Sequence, residues 1–251
     1  MLCWTCETLT RSTFRNLTDS YEGWAYRNGF HRQLRRLEQQ QMIERRSGKS
    51  GDRFYRLTEP GHLNALGGRN PEACWNRSWD GRWRLVLFDL PESHRRQRDR
   101  LRHYLRHRGF GYLQNSAWIT PDHVNEHRAF LTDGIVNVES LIFLEARPST
   151  GETDAEIVAG AWDFPELYRR YAQYLNVLHH HPRRSLHTLA DANNLQRWLR
   201  AERESWINVM EADPLLPRIL LPPNYPGQTA WRERLTVMAE AGRQMRSFSP
   251  E

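Results

Sequence analysis

Apolar residues fall into helical and strand spacings that change along the chain. Leu2 to Leu9 reads as a short apolar helix, and Thr10 to Leu17 as a second that Thr10 or Ser12 can cap. Within Trp24 to Gln41, Phe30, Leu34 and Leu37 recur at helical spacing. Asn28-Gly29 interrupts that stretch with a turn signal, so the helix can start as late as Gly29. Met42 to Arg46 reads as a strand, Ser47 to Asp52 as a small polar loop, and Arg53 to Leu57 as the returning strand. Thr58-Glu59-Pro60-Gly61 stops it, and His62 to Leu66 is expected to be a short helix. Helices followed by a hairpin are the order of a winged helix, whose helix before the hairpin enters the major groove.

After a linker at Gly67-Gly68-Arg69-Asn70-Pro71, a second pattern begins near Trp79. Trp83 to Asp89 is the clearest strand, and Pro91-Glu92 opens a helix that runs to about Arg108 and closes at Gly109. Tyr112 to Thr120 supplies one or two strands, Pro121-Asp122 starts another helix, and Val136 to Glu145 is a further strand. That order, β-α-β(β)-α-β, is ferredoxin-like. Past a second linker at Arg147 to Glu152 the chain reads as mostly helical. Leu167, Tyr171, Tyr174, Leu175 and Leu178 share one face, and Leu195, Trp198, Leu199, Trp206 and Ile207 suggest another amphipathic helix. Five prolines between Pro214 and Pro226 force an irregular stretch before a last helix, Ala230 to Met245. The expected class is α+β in three parts: a winged-helix DNA-binding domain at 1–68, a ferredoxin-like domain at 79–147 and a helical domain at 153–251.

Composition narrows the function. With 251 residues, 39% hydrophobic and 26% charged, the chain belongs to the globular class. It has no apolar run of membrane-spanning length and no signal-peptide pattern, so a cytoplasmic protein with no membrane partner is expected. Cys3, Cys6 and Cys74 make an odd count, which argues against a disulfide framework. Cys3 and Cys6 read as small buried hydrophobes on an apolar helix; no second pair follows to complete a zinc site.

The net charge is +6, and nearly all the positive charge is arginine. Between Trp24 and Thr58 stand nine bases against three acids, a local excess equal to that of the whole chain. Such a concentration is the footprint of a DNA-binding module. The residues expected to face DNA are Arg27, Asn28, His31, Arg32, Arg35, Arg36, Arg45, Arg46, Lys49 and Arg53. A second basic stretch, Arg95 to Arg108, carries seven arginines against Asp99. It reads as a solvated face, as a cradle for ligand phosphates or as an extension of the DNA contact.

No phosphate loop or catalytic triad spacing stands out, and no cofactor is expected. His103 and His107 are spaced i, i+4, but Tyr104 stands where a zinc protease needs glutamate, so they read as solvated or packing side chains. His179-His180-His181 reads as a solvated helix end before Pro182.

The segment Trp79-Asp80-Gly81-Arg82-Trp83-Arg84-Leu85-Val86-Leu87-Phe88-Asp89-Leu90-Pro91-Glu92 resembles the central motif of the PaaX family of bacterial repressors. Arg98-Asp99-Arg100-Leu101, Gly109-Phe110-Gly111 and Trp118-Ile119-Thr120-Pro121 continue the likeness. Asp213-Pro214-Leu215-Leu216-Pro217, Leu220-Leu221-Pro222 and Pro226-Gly227 resemble its C-terminal signature, while residues 1–28 depart from the usual pattern. The resemblance implies a winged-helix head, a central domain similar to the CRISPR-associated adaptation nucleases and a helical C-terminal domain. It also implies a homodimer on palindromic double-stranded operator DNA, released by an aryl-CoA thioester such as phenylacetyl-CoA. The expected function is therefore a ligand-responsive repressor and not an enzyme. The alternative is a metal-dependent nuclease, because those nucleases place an aspartate where Asp89 stands. Asp89 otherwise caps or braces the following helix, and no second acidic ligand stands beside it in the sequence.

Overall fold

The computed structural model describes residues 30–47, 53–125, 140–183 and 186–247. The expected helices at 2–9 and 10–17, the pair Cys3 and Cys6, the hairpin tip at 48–52 and most of the helix expected after Pro121-Asp122 lie outside the described residues. The chain forms two compact units: residues 1–69, 177–204 and 234–251, and residues 70–176 and 205–233.

Helix α1 (Phe30–Gln39) leads into an antiparallel hairpin of β1 (Ile43–Ser47) and β2 (Arg53–Leu57). Gln41 ends α1 in the left-handed region at φ 56, and Met42 N donates to Leu37 O at 2.8 Å. This is a Schellman closure with glutamine in the place glycine usually takes. Helix α2 (Glu59–Ala65) starts three residues before the expected His62. Thr58 Oγ1 accepts from Gly61 N at 3.1 Å, and Pro60 sits in the first turn, where a missing N–H costs nothing. Gly61 is the only residue that fits there, since a Cβ would lie 1.8 Å from the Met42 carbonyl oxygen. Helix α3 (Pro71–Asn76) was not expected; Asn70 and Pro71, read as linker, are its cap and first residue.

The second unit is built on a four-stranded sheet. Its members are β3 (Trp83–Asp89), β4 (Gly111–Gln114), β5 (Ala117–Thr120) and β6 (Ser140–Ala146), in the order β4-β5-β3-β6. All neighbours are antiparallel. A 3-10 turn (Glu92–His94) and α4 (Arg95–His107) connect β3 to β4. Gly109, at φ 81, closes α4 as expected. Strand alternation sends Val86 and Phe88 to one face, where they pack with Leu90, Leu101, Leu105, Phe110 and Trp118. This is the ferredoxin-like arrangement expected for the central part. Leu85 and Leu87 point to the opposite face and pair across the sheet with Leu144 and Ile142.

The rest is helical: α5 (Asp154–Ala161), α6 (Phe164–His179), α7 (Leu189–Ala212), a 3-10 turn (Arg218–Leu220) and α8 (Gly227–Ser247). Thr153 and Glu156 form a full capping box on α5. Leu167, Tyr171, Tyr174 and Leu178 are buried along α6, as their spacing predicts. Helix α8 starts at Gly227, three residues before the expected Ala230. A Cβ at that position would lie 2.3 Å from the Tyr225 hydroxyl. In the first unit, Glu202 and Arg234 form a buried ion pair at 2.8 Å, and His181 Nε2 meets Gln244 Oε1 at 3.0 Å. Among the described residues no helix is long and apolar enough to cross a membrane.

Candidate nucleic-acid interface

The helix-hairpin segment presents several of the arginines selected from the sequence. Arg32, Arg35 and Arg36 are exposed on α1, and Arg45 and Arg46 on β1. Arg45 lies opposite Tyr55, and Glu44 opposite Arg56, so each pair shares a face of the hairpin. Arg46 is held by Glu44, with Nε donating to Oε1 at 2.8 Å, which offsets part of its charge. Exposed Arg56 was not selected; the alternation of Arg53-Phe54-Tyr55-Arg56 was the signal that could have found it. His31 belongs to α1 and Arg53 to β2, although their side chains, like all of Arg27, Asn28 and Lys49, lie outside the described parts. The base of the hairpin is fixed by Thr58, whose N donates to Met42 O at 3.1 Å and whose hydroxyl donates to Gln41 O. The hairpin is thereby tied to the end of α1.

In the second unit, α4 buries Leu101 and Leu105 and turns Arg95, Arg96, Asp99, Arg100, His103, Arg106 and His107 outward. The rings of His103 and His107 meet edge to face at 4.1 Å. Arg98 pairs with Glu92 at 2.8 Å, and Arg106 lies over the Trp118 ring at 5.7 Å. Among the described residues no three His, Cys, Asp or Glu side chains gather as a metal site. Asp89 is exposed and faces Ser140 across the sheet. It borders a depression of about 310 Å³ whose polar neighbours are Gln114, Asn115 and Ser116. Asp89 does not cap the next helix, since neither the 3-10 turn nor α4 has a side-chain cap. An open cleft of about 630 Å³ lies beside Phe110, Tyr112, Trp118 and Trp162, with Arg106 and Gly160 also on its wall.

Two acids of the long motifs, Asp80 and Asp213, have structural partners. Arg84 is buried and forks onto Asp80, with Nη1–Oδ1 at 2.7 Å and Nη2–Oδ2 at 2.5 Å. The guanidinium holds the Asp80 carboxyl down at about 2. Gly81, at φ 74, turns the chain between them. Asp213 is buried beside Tyr171 and Tyr225, both of which donate to its Oδ2. Burial first, and the nearby Asp213 charge second, push both phenols well above their ordinary range.

Residues 76–158 match the family described as PaaX protein central Cas2-like domain. The class of the second unit's sheet is therefore a Cas2-like, ferredoxin-like domain, in agreement with its strand order. The matched stretch contains the first of the two long motifs, and over it the chain is similar to the PaaX family. Among solved structures it is similar to the uncharacterized protein Rv0674 from Mycobacterium tuberculosis, at 19% identity and a TM-score of 0.52. That likeness covers 87% of this chain and 83% of the other, and it concerns the fold. No curated protein matches the chain.

Proposed function

We propose that this chain is a cytoplasmic, DNA-binding transcriptional regulator and not an enzyme. The carrying observation is the row of exposed Arg32, Arg35 and Arg36 on a helix tied directly to an antiparallel hairpin. In this reading residues 1–68 are a winged helix, α1 enters the major groove and the hairpin lies against the backbone. Arginine suits both tasks, because its planar fork meets guanine edges and phosphates. The match to the PaaX central domain supports a regulator, since the family that the motifs resemble is one of repressors.

The finer reading is a homodimeric repressor released by an aryl-CoA thioester. The open sheet face supports the dimer: Ile142 is 50% exposed and Leu144 46% exposed there. The aromatic cleft beside Trp118 and Trp162 supports an aryl ligand, and Arg106, on a wall that also carries Asp163 and Glu211, is the group there that can meet an anion. The surroundings of Asp89 favour the regulator over a nuclease. Divalent-metal phosphodiester chemistry uses several oxygen ligands, usually carboxylates, and among the described residues the other polar side chains lining the depression beside Asp89 are two amides and one hydroxyl.

The test is selection of bound genomic DNA by the full chain, followed by titration of the shared sequence. Arg35→Ala with Arg46→Ala is expected to weaken binding at least tenfold and to lower its salt slope by about one to two. Unchanged affinity and slope would remove the head from the DNA interface.

A further inference from the structure

The excess of positive over negative charge comes from two segments. Residues 24–58 hold nine bases against three acids and residues 95–108 hold seven against one, while the remaining chain holds twenty against twenty-six. Outside those two segments the protein is therefore acidic, with a net charge of −6. The first segment is the proposed winged helix. The second is α4, in the other compact unit, and the proposed reading gives a task to its Arg106 alone.

The outward side of α4 carries four arginines against one acid, Asp99, together with His103 and His107. Leu101 and Leu105 face the core, which at 100° per residue places Arg95, Arg96, Arg100 and Arg106 on the opposite half of the helix. Arg95, Arg96 and Arg100 are exposed, and among the described residues no carboxylate forms an ion pair with any of them. Arginines that merely solubilise a helix are usually interleaved with acids at i+4, and Asp99 is the sole acid in this helix. A face this charged repels itself, so an anionic partner stabilises it. The 13 residues span about 20 Å, over which a DNA duplex presents roughly a dozen phosphates.

We propose that the outer face of α4 is a second, sequence-independent DNA contact that grips the phosphate backbone through Arg95, Arg96 and Arg100. This inference rests on the reading of the chain as a DNA-binding regulator and adds a surface that the winged helix does not contain. Backbone contacts raise affinity for every sequence alike, so they lengthen residence on DNA without choosing the site.

The experiment uses the full chain and a mixed-sequence duplex of about 40 base pairs, long enough for several turns. Affinity is measured across a salt series for three triple variants. Arg95→Gln/Arg96→Gln/Arg100→Gln is expected to lower the salt slope by about two to three. It should also weaken binding at least tenfold at low salt. The corresponding triple Arg→Lys variant should retain most of the slope. The third variant, Arg197→Gln/Arg200→Gln/Arg243→Gln, removes the same charge from exposed sites elsewhere and should change the slope by less than about one. An unchanged slope for the α4 glutamine variant overturns the proposal, as does an equal fall in the Arg197 set, which would mark a net-charge effect. If the α4 variant binds normally while Arg35→Ala/Arg46→Ala does not, α4 is excluded and the winged-helix reading stands. If neither variant changes binding, both readings fail.

Discussion

Tyr171 donates its phenolic hydrogen to Oδ2 of Asp213 at 2.5 Å, although 42 positions separate the two residues. Tyr225 donates to the same oxygen, and Oδ1 accepts from Leu215 N at 2.8 Å. Asp213 directly follows α7, so its carboxyl group receives the turn that leaves that helix. Leu215 takes φ 50 there, and its carbonyl accepts from Arg77 Nη1 at 2.5 Å. Residues 213 to 217 are all buried. The C-terminal motif, residues 213–217 with its following turn, is thus a structural junction within the second unit. Gly227 belongs to it, because a side chain there would strike the hydroxyls of Tyr225 and Tyr171.

Asp213→Ala should destabilise the protein by about 3 kcal/mol, because it strands two buried phenol hydroxyls and a backbone N–H. Tyr171→Phe removes one donor and leaves the other, and should cost about 1 kcal/mol. Urea unfolding followed by tryptophan fluorescence measures both. A loss under about 1 kcal/mol for Asp213→Ala would mean that the junction is not a stabilising network.

The Asp80–Arg84 pair should show in acid. The folded Asp80 carboxyl sits at about 2, below its ordinary 3.8. Its stabilisation is therefore fully present above about pH 4 and is lost as pH falls from there toward 2. The stability gap between the native chain and Asp80→Asn should be constant at pH 5 to 7 and should narrow below about pH 4. A gap that stays constant down to the acid transition would contradict the lowered value.

The open face of the sheet supplies a test of assembly. Ile142→Lys with Leu144→Lys places two charges on cross-strand neighbours of Leu87 and Leu85, away from the packed core. If this face pairs two copies, light scattering should report a dimer for the native chain and a monomer for the variant, with unchanged circular dichroism. A variant that stays dimeric moves the interface elsewhere.

Effector binding is tested at Gly160. That glycine lines the aromatic cleft, and a Cβ there meets nothing within 4 Å, so Gly160→Leu obstructs the cleft without an initial clash. Leucine also favours a helix over glycine by roughly 0.5 to 1 kcal/mol, so the fold should not suffer. Phenylacetyl-CoA should release DNA from the native chain, free CoA should not, and Gly160→Leu should weaken the thioester's effect at least tenfold while DNA affinity is kept. Equal release from the variant would place the effector elsewhere.

The strand Trp83–Asp89, the hairpin return Arg53–Leu57 and the closure of α4 at Gly109 were all legible from residue types and spacing. These are local matters: alternation sets a strand, and a glycine past the last turn ends a helix. The arginine concentrations were legible for the same reason, since charge needs only counting. Short helices were less so. Asn70-Pro71 and Thr58-Glu59-Pro60 read as breakers, yet each is a cap followed by a first turn. Those dipeptides have the same local chemistry whether a helix follows or not.

What the sequence by itself determined was the α+β order, the central ferredoxin-like pattern and the PaaX-type motifs. Only the tertiary structure decided what the motif residues do. Asp80, ahead of β3, folds back onto Arg84 within that strand, whereas Asp213 meets tyrosines from two other segments. Spacing along a chain cannot show such meetings, because the partners of a buried carboxyl group are chosen by which surfaces pack together. The structure likewise separated arginines with acidic partners, such as Arg46 and Arg98, from exposed Arg95, Arg96 and Arg100. Equal charges in a sequence become unequal once some are held by neighbours and others face water.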